Sequence, residues 1–167
     1  MRLFSAVWPS ETALAHLATA VGRVELPAGA RPVPPEKWHL TLAFYGNDAS
    51  PQERAEHLDE QVAGLAAPEL RLAGAGTFGG VLWVGVEGAT PRDGAALDAL
   101  AAAAGAGETF RPHVTVARWR QHRPRRRLAE QLAGYRGPAW TVSQVSLVRS
   151  GLGAGYTTVH RVALASW

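Results

Sequence analysis

The chain has 167 residues, 47% of them apolar and 19% charged, with a formal net charge of +3. That apolar content supports a packed core, suits a single domain over 1–167, and excludes a disordered chain. The absence of cysteine excludes disulfides and thiolate metal sites and is compatible with a reducing cytoplasm, the expected compartment.

Taken in order, Arg2 to Val7 reads as a strand. The apolar run from Met1 stops at Pro9, too short for a signal peptide or a membrane span. No later stretch reaches membrane length without charge, Pro or Gly, so no membrane association is expected. Ser10 is placed as the N-cap of a helix running to about Val21. Gly22 to Pro35 is rich in Gly and Pro and reads as loop, with one short strand near Arg23 to Leu26. Trp38 to Tyr45 alternates as a strand and ends at Gly46-Asn47. Ser50-Pro51-Gln52-Glu53 is a capping box with Pro at the first helical position, and it predicts a helix to about Leu65. Glu69 to Phe78 and Val81 to Glu87 form a hairpin around Gly79-Gly80. Thr90-Pro91-Arg92-Asp93 opens a third helix, to about Ala104. His113 to Arg118 is a strand, Arg125 to Leu132 a short helix, and Thr141 to Arg149 with Gly155 to Leu164 a final strand pair.

Two of these strands carry the same chemistry. His39-Leu40-Thr41-Leu42 and His113-Val114-Thr115-Val116 each repeat His-x-Thr in an alternating apolar context. Alternation sets His and Thr on one face and the aliphatic residues on the other. Two complete matches by accident are on the order of a few in a thousand. Paired imidazoles can divide the roles of general acid and general base. The order of elements, a motif strand, a helix and a hairpin in the first half and a motif strand, a short helix and a strand pair in the second, predicts two similar lobes that present one motif each to a shared cleft.

Arginine supplies 16 of the 17 basic residues, and half of those lie between Arg111 and Arg136. The densest run is Arg118-Trp119-Arg120-Gln121-His122-Arg123-Pro124-Arg125-Arg126-Arg127. A basic patch with an interleaved aromatic suits phosphate and base contact. Other motifs fail on context. Gly74-Ala75-Gly76-Thr77-Phe78-Gly79 matches a dinucleotide fingerprint but leads into a strand rather than a helix. Gly151 to Gly155 lacks the Lys-Ser/Thr of a P-loop and reads as a turn. There is no His-x-His or His-Glu-x-x-His, the four Asp and ten Glu are scattered, and no Gly-x-Ser-x-Gly occurs. His16, His57, His122 and His160 are assigned surface or packing roles.

At the two motifs the chain resembles the 2H phosphoesterase superfamily, and within it the RNA 2′,3′-cyclic phosphodiesterases, or 2′-5′ RNA ligase-like proteins. The resemblance runs from Met1-Arg2-Leu3-Phe4-Ser5-Ala6-Val7 through both motifs and Val81-Leu82-Trp83-Val84-Gly85-Val86 to Val148-Arg149-Ser150 and Gly155-Tyr156. The Ala/Gly-rich third helix and the dense arginine run depart from it. The resemblance implies an α+β fold of two pseudo-symmetric lobes, with antiparallel sheets facing a central cleft and helices outside. It implies metal-independent, cofactor-free hydrolysis of a terminal 2′,3′-cyclic phosphate on RNA to a 2′-phosphate. His39 would be the proton donor and His113 the proton acceptor. Thr41 and Thr115 would bind the phosphate, with Arg118 and Tyr156 as further substrate contacts. A monomer acting on RNA is expected. Rival readings are a related phosphodiesterase acting on another cyclic phosphate or a 2′-5′ oligonucleotide, and a non-catalytic RNA-binding module built on the arginine run.

Overall fold

The computed structural model describes residues 2–120, 125–151 and 155–166. Its elements are β1 (Arg2–Val7), α1 (Glu11–Gly22), β2 (Arg31–Pro32), a 3-10 turn (Pro35–Lys37), β3 (Leu40–Gly46), α2 (Pro51–Gln61), β4 (Glu69–Phe78), β5 (Val81–Gly88), α3 (Pro91–Ala104), β6 (His113–Arg118), α4 (Arg126–Glu130), β7 (Arg136–Thr141), β8 (Gln144–Ser150) and β9 (Tyr156–Ala163). Gln121 to Pro124, and with them His122, lie outside the described residues, as do Leu152 to Ala154, on which the expected Gly151–Gly155 turn falls.

The three long helices start where their caps dictate. Ser10, Ser50 and Thr90 each accept a hydrogen bond from the backbone N–H three residues on, at Ala13, Glu53 and Asp93. α2 stops four residues before the expected Leu65. There Gly64, at φ +76°, turns the chain, and its N–H donates to Ala163 O while Leu65 O accepts from Ala165. Those backbone groups are taken up by the end of β9 and are lost to the helix.

Three strand boundaries also differ from expectation. Arg23 to Leu26 forms no strand, and the short strand of that loop is β2, which pairs with β6. β3 begins at Leu40 because Trp38 closes the 3-10 turn: its N–H bonds Pro35 O at 3.1 Å and its indole N–H bonds Val33 O at 2.8 Å. Finally, the expected Thr141–Arg149 strand is the end of one strand and the bulk of another. β7 carries Gly137 and Pro138, which read as breakers, but it pairs with β4 alone and so tolerates a proline.

All described strand pairings are antiparallel, in the order β7-β4-β5-β6-β3-β1-β8-β9. The sheet narrows at its middle, where β3 and β6 share a single register pair, Leu40 with Val114. That waist divides it into two lobes. One holds β1, β3, β8 and β9; the other holds β4 to β7 with β2. The lobes are therefore not the two halves of the chain, as the order of elements had suggested. The hairpin that follows the first motif pairs with the second motif strand, and the closing strand pair joins the first.

Helices cover one face. α1 and α4 pack on the β4 lobe, α2 on β8 and β9, and α3 spans β3 and β5. Between helices and sheet lies one continuous apolar core that includes Leu17, Leu40, Leu58, Leu72, Leu82, Leu100, Val114 and Leu147. Among the described residues no helix is long and apolar enough to cross a membrane.

Candidate active site

The face of the sheet without helices is concave, and at the waist it holds a cleft of about 720 Å³. Leu40 and Val114 are buried on the core side, while His39, Thr41, His113 and Thr115 are each half-buried and line the cleft. The register matters here. Leu40 opposite Val114 in antiparallel strands sets His39 across from Thr115 and Thr41 across from His113. The two motifs thus meet as a crossed pair, with imidazoles on one diagonal and hydroxyls on the other.

Both imidazoles are held by the same device. His39 Nδ1 lies 2.8 Å from Lys37 O, and His113 Nδ1 lies 2.7 Å from Arg111 O. A carbonyl only accepts, so Nδ1 carries the proton in each ring and donates. Nε2 is left as the reactive nitrogen on both sides: an acceptor when the ring is neutral, a donor when it is charged.

The surroundings of the two rings differ. His39 stacks on Phe4 at 5.2 Å, leans on Trp8 at 5.3 Å and meets the Tyr156 ring edge-on at 5.1 Å. Phe4 and Ala6 are buried with Val148 in a small apolar cluster separate from the main core, with Trp8 against it. Burial among these rings holds the His39 pKa below the ordinary 6.5. The Lys37 carbonyl opposes that shift, and the charges of Arg118 and His113 reinforce it. His113 meets Phe78 edge-on at 5.4 Å and Trp83 at 6.3 Å. Trp83 is flanked across the sheet by Gly76 and Thr115, and the absent side chain of Gly76 leaves room for its indole.

The loop before His113 is anchored from the other lobe. The Tyr45 hydroxyl bonds Ala104 O at 2.6 Å and Ser5 Oγ at 3.0 Å, and so fixes the end of α3. Residues 105–111 run on from that point along the cleft edge to the Arg111 carbonyl that holds His113.

The cleft is positively charged. Arg2, Arg31, Lys37, Arg111 and Arg118 line it, and no carboxylate does among the described residues. Among the described residues the large apolar side chains left exposed are Phe44, Phe78 and Tyr156, and all line it too. No group of three or more His, Asp or Glu that could hold a metal occurs among the described residues.

All six residues singled out in the sequence, His39, Thr41, His113, Thr115, Arg118 and Tyr156, line this one cleft. The arginine run does not stay together: Arg118 reaches the cleft, whereas Arg125, Arg126 and Arg127 surround a separate hollow. Two histidines outside the motifs have polar partners after all. His160 Nε2 lies 2.7 Å from Asp59 Oδ1, and His16 Nδ1 lies 2.7 Å from the Tyr135 hydroxyl. Neither His16 nor His160 lines the cleft. Sequence reasoning missed Phe4, Lys37 and Phe78. Phe4 had a readable signal: β1 is apolar on both faces, as a central strand buried on both sides would be.

Comparison with known proteins gives the family of the chain. A model of the 2′-5′ RNA ligase superfamily matches residues 9–154. The chain belongs to that superfamily. It is an enzyme of the 2H phosphoesterase kind. A Thermus thermophilus protein named RNA 2′,3′-cyclic phosphodiesterase is 34% identical, with the match covering 98% of this chain and 90% of that one. The crystal structure of TT0787 of Thermus thermophilus superposes with a TM-score of 0.73 at 28% identity, covering 98% of this chain and 97% of that chain. Escherichia coli LigT complexed with phosphate superposes at 0.69 with 26% identity, covering 98% of this chain and 96% of that chain.

Proposed function

We propose that this enzyme hydrolyses the 2′,3′-cyclic phosphate at the end of an RNA, leaving a 2′-phosphate. The observation that carries the reading is the crossed motif pair. Two imidazoles, each locked at Nδ1 by the carbonyl two residues before it, offer Nε2 to one cleft lined, among the described residues, by five cations and no carboxylate.

His113 Nε2 accepts a proton from water as the water oxygen attacks phosphorus. The P–O3′ bond breaks, and His39 Nε2 gives its proton to O3′. One proton is gained and one released, and exchange with solvent restores the starting state. Thr41 and Thr115 donate to the non-bridging oxygens, with Arg118 adding charge where the phosphorane is most negative. Phe44, Phe78 and Tyr156 offer ring faces and edges to the bases. With a 5′-hydroxyl attacking phosphorus in place of water and O3′ leaving as before, the same two groups, in the same roles, make a 2′-5′ bond.

The depressed pKa of His39 disfavours its acid form in the free enzyme. A phosphodiester anion brought beside it favours the charged imidazole, so substrate binding itself loads the donor. The reaction needs no metal or other cofactor, and the reading is of a monomer working on RNA in the cytoplasm.

The test is incubation with an oligoribonucleotide ending in a 2′,3′-cyclic phosphate, with and without EDTA, followed by identification of the product. A 2′-phosphate formed at equal rate in both supports the reading. A substrate whose leaving oxygen needs no protonation restores turnover to His39→Ala and not to His113→Ala. The opposite rescue reverses the roles, and a 3′-phosphate product or full dependence on an added divalent ion refutes the mechanism.

A further inference from the structure

A second hollow of about 670 Å³ is lined by Arg125, Arg126, Arg127, Glu25, Pro27, Leu128 and Gln131, and shares no lining residue with the cleft. It is held in shape from both sides. Gln131 Oε1 accepts from the Glu25 N–H at 3.0 Å, which ties the loop after α1 to the turn after α4. The Arg125 guanidinium lies 5.6 Å over the ring of Trp119, which is itself buried.

Its electrostatics are unbalanced. Among the described residues none of Arg125, Arg126 and Arg127 is paired with a carboxylate. Glu25 is the one acid among the described residues of the lining. Arg125 Nε is buried without an acceptor, an unfavourable state for such a donor. Three adjacent guanidiniums also repel one another. An anion with several acceptor oxygens relieves both costs, and the planar guanidinium fork matches phosphate.

We infer that this hollow is a second phosphate site, which grips the backbone of the same RNA strand whose cyclic end occupies the cleft. The inference rests on the proposed function for the identity of the strand. Position favours RNA over an acidic protein. Trp119 follows directly after Arg118, so the ring beneath the Arg125 guanidinium is joined by one peptide bond to a residue of the cleft wall. The site makes the enzyme selective for oligonucleotides over cyclic mononucleotides without touching the chemistry.

The experiment compares two substrates, a cyclic mononucleotide and a single-stranded RNA of about 12 nucleotides ending in a 2′,3′-cyclic phosphate, a length within the usual reach of single-strand sites. Replacing exposed Arg126 and Arg127 together by Ala should raise KM for the oligomer about tenfold with kcat unchanged. It should also lower the salt slope of log KM by about 1.4, at about 0.7 for each single-strand phosphate no longer neutralised. Mononucleotide kinetics should not move. Equal changes on both substrates, or none on the oligomer, overturn the inference. If the wild-type enzyme turns over neither substrate, the proposed function fails. The hollow is then judged by fluorescence anisotropy with a labelled 3′-hydroxyl RNA of the same length. Unchanged affinity in the double variant, or tighter binding of a poly-glutamate peptide of equal charge, overturns the inference on its own.

Discussion

Replacing Gly76 by alanine should damage the active site from the far side of a tryptophan. A Cβ built on Gly76 collides with Trp83 Cζ2 and comes within 2.7 Å of Cε2 and 2.8 Å of Cη2. Comfortable carbon contacts lie at about 3.5–4.0 Å, so the indole must shift by roughly 1 Å or more. The opposing atoms belong to a large ring that packs at 6.2 Å against Phe78 and 6.3 Å against His113, and no flexible tip can yield instead. Overpacking of this kind costs about 1–3 kcal/mol of stability. The ring also stands beside His113 and opposite Thr115, and a misplacement of about 1 Å near reacting groups can cost on the order of 10²-fold in rate. Urea denaturation and kcat on a cyclic-phosphate substrate should therefore fall together. Adding Trp83→Phe to Gly76→Ala should recover part of both, because the smaller ring leaves room for the methyl and the two sites couple directly. If Gly76→Ala leaves stability and kcat unchanged, the indole does not support His113 and the reasoning is wrong.

Either His39→Ala or His113→Ala should lower turnover by about 10²–10⁴-fold, with the double variant little worse than one alone, as single-turnover kinetics would measure. The rate should be bell-shaped in pH, since one imidazole works charged and the other neutral. Because burial, Arg118 and His113 depress the His39 pKa, Arg118→Gln should raise it, as should a bound phosphate; NMR titration of the imidazole checks both. The same shift has a stability sign. The unfolded chain protonates this imidazole at about 6.5 and the folded chain only lower, so stability should decline as pH falls below about 6.5. Urea midpoints for the wild type should show a steeper acid decline than those for His39→Asn. Finally, Gly88→Ala drives a Cβ into Gly94 N and within 2.7 Å of Asp93 C, backbone atoms in the first turn of α3. It should cost about 1–3 kcal/mol in thermal unfolding while leaving KM intact.

The features legible in the sequence are those written within a few neighbouring residues. Ser10, Ser50-Pro51 and Thr90-Pro91 announced their helices because a cap is a local hydrogen bond. The motif strands were legible because alternation over six residues is enough to assign faces. Pairing has no such local signature. Nothing near Leu40 indicates that it opposes Val114, so the crossed arrangement of imidazoles and hydroxyls came only from the structure. β7 hid behind Gly137 and Pro138, since whether a proline breaks a strand depends on whether that strand is at an edge. The arginine run read as one patch because its residues are consecutive. In the structure Arg118 ends β6 at the cleft, whereas Arg125 stands before α4 at the separate hollow.

The weaving of the two lobes also sets an order of assembly. Strands β4 to β7 lie between residues 69 and 141, and they can pair among themselves as soon as that stretch has been made. The lobe that carries His39 cannot. β1 and β3 come from the first 46 residues, yet β1 lacks its second neighbour until β8 arrives at Gln144–Ser150. During synthesis the first motif therefore waits beside an open, strongly apolar edge while almost a hundred further residues are added. Such distant pairings slow folding and leave edges exposed to other chains. A nascent chain stopped short of β8 would hold His113 in a formed lobe and His39 in an unfinished one, so catalytic competence would be the last property the chain acquires.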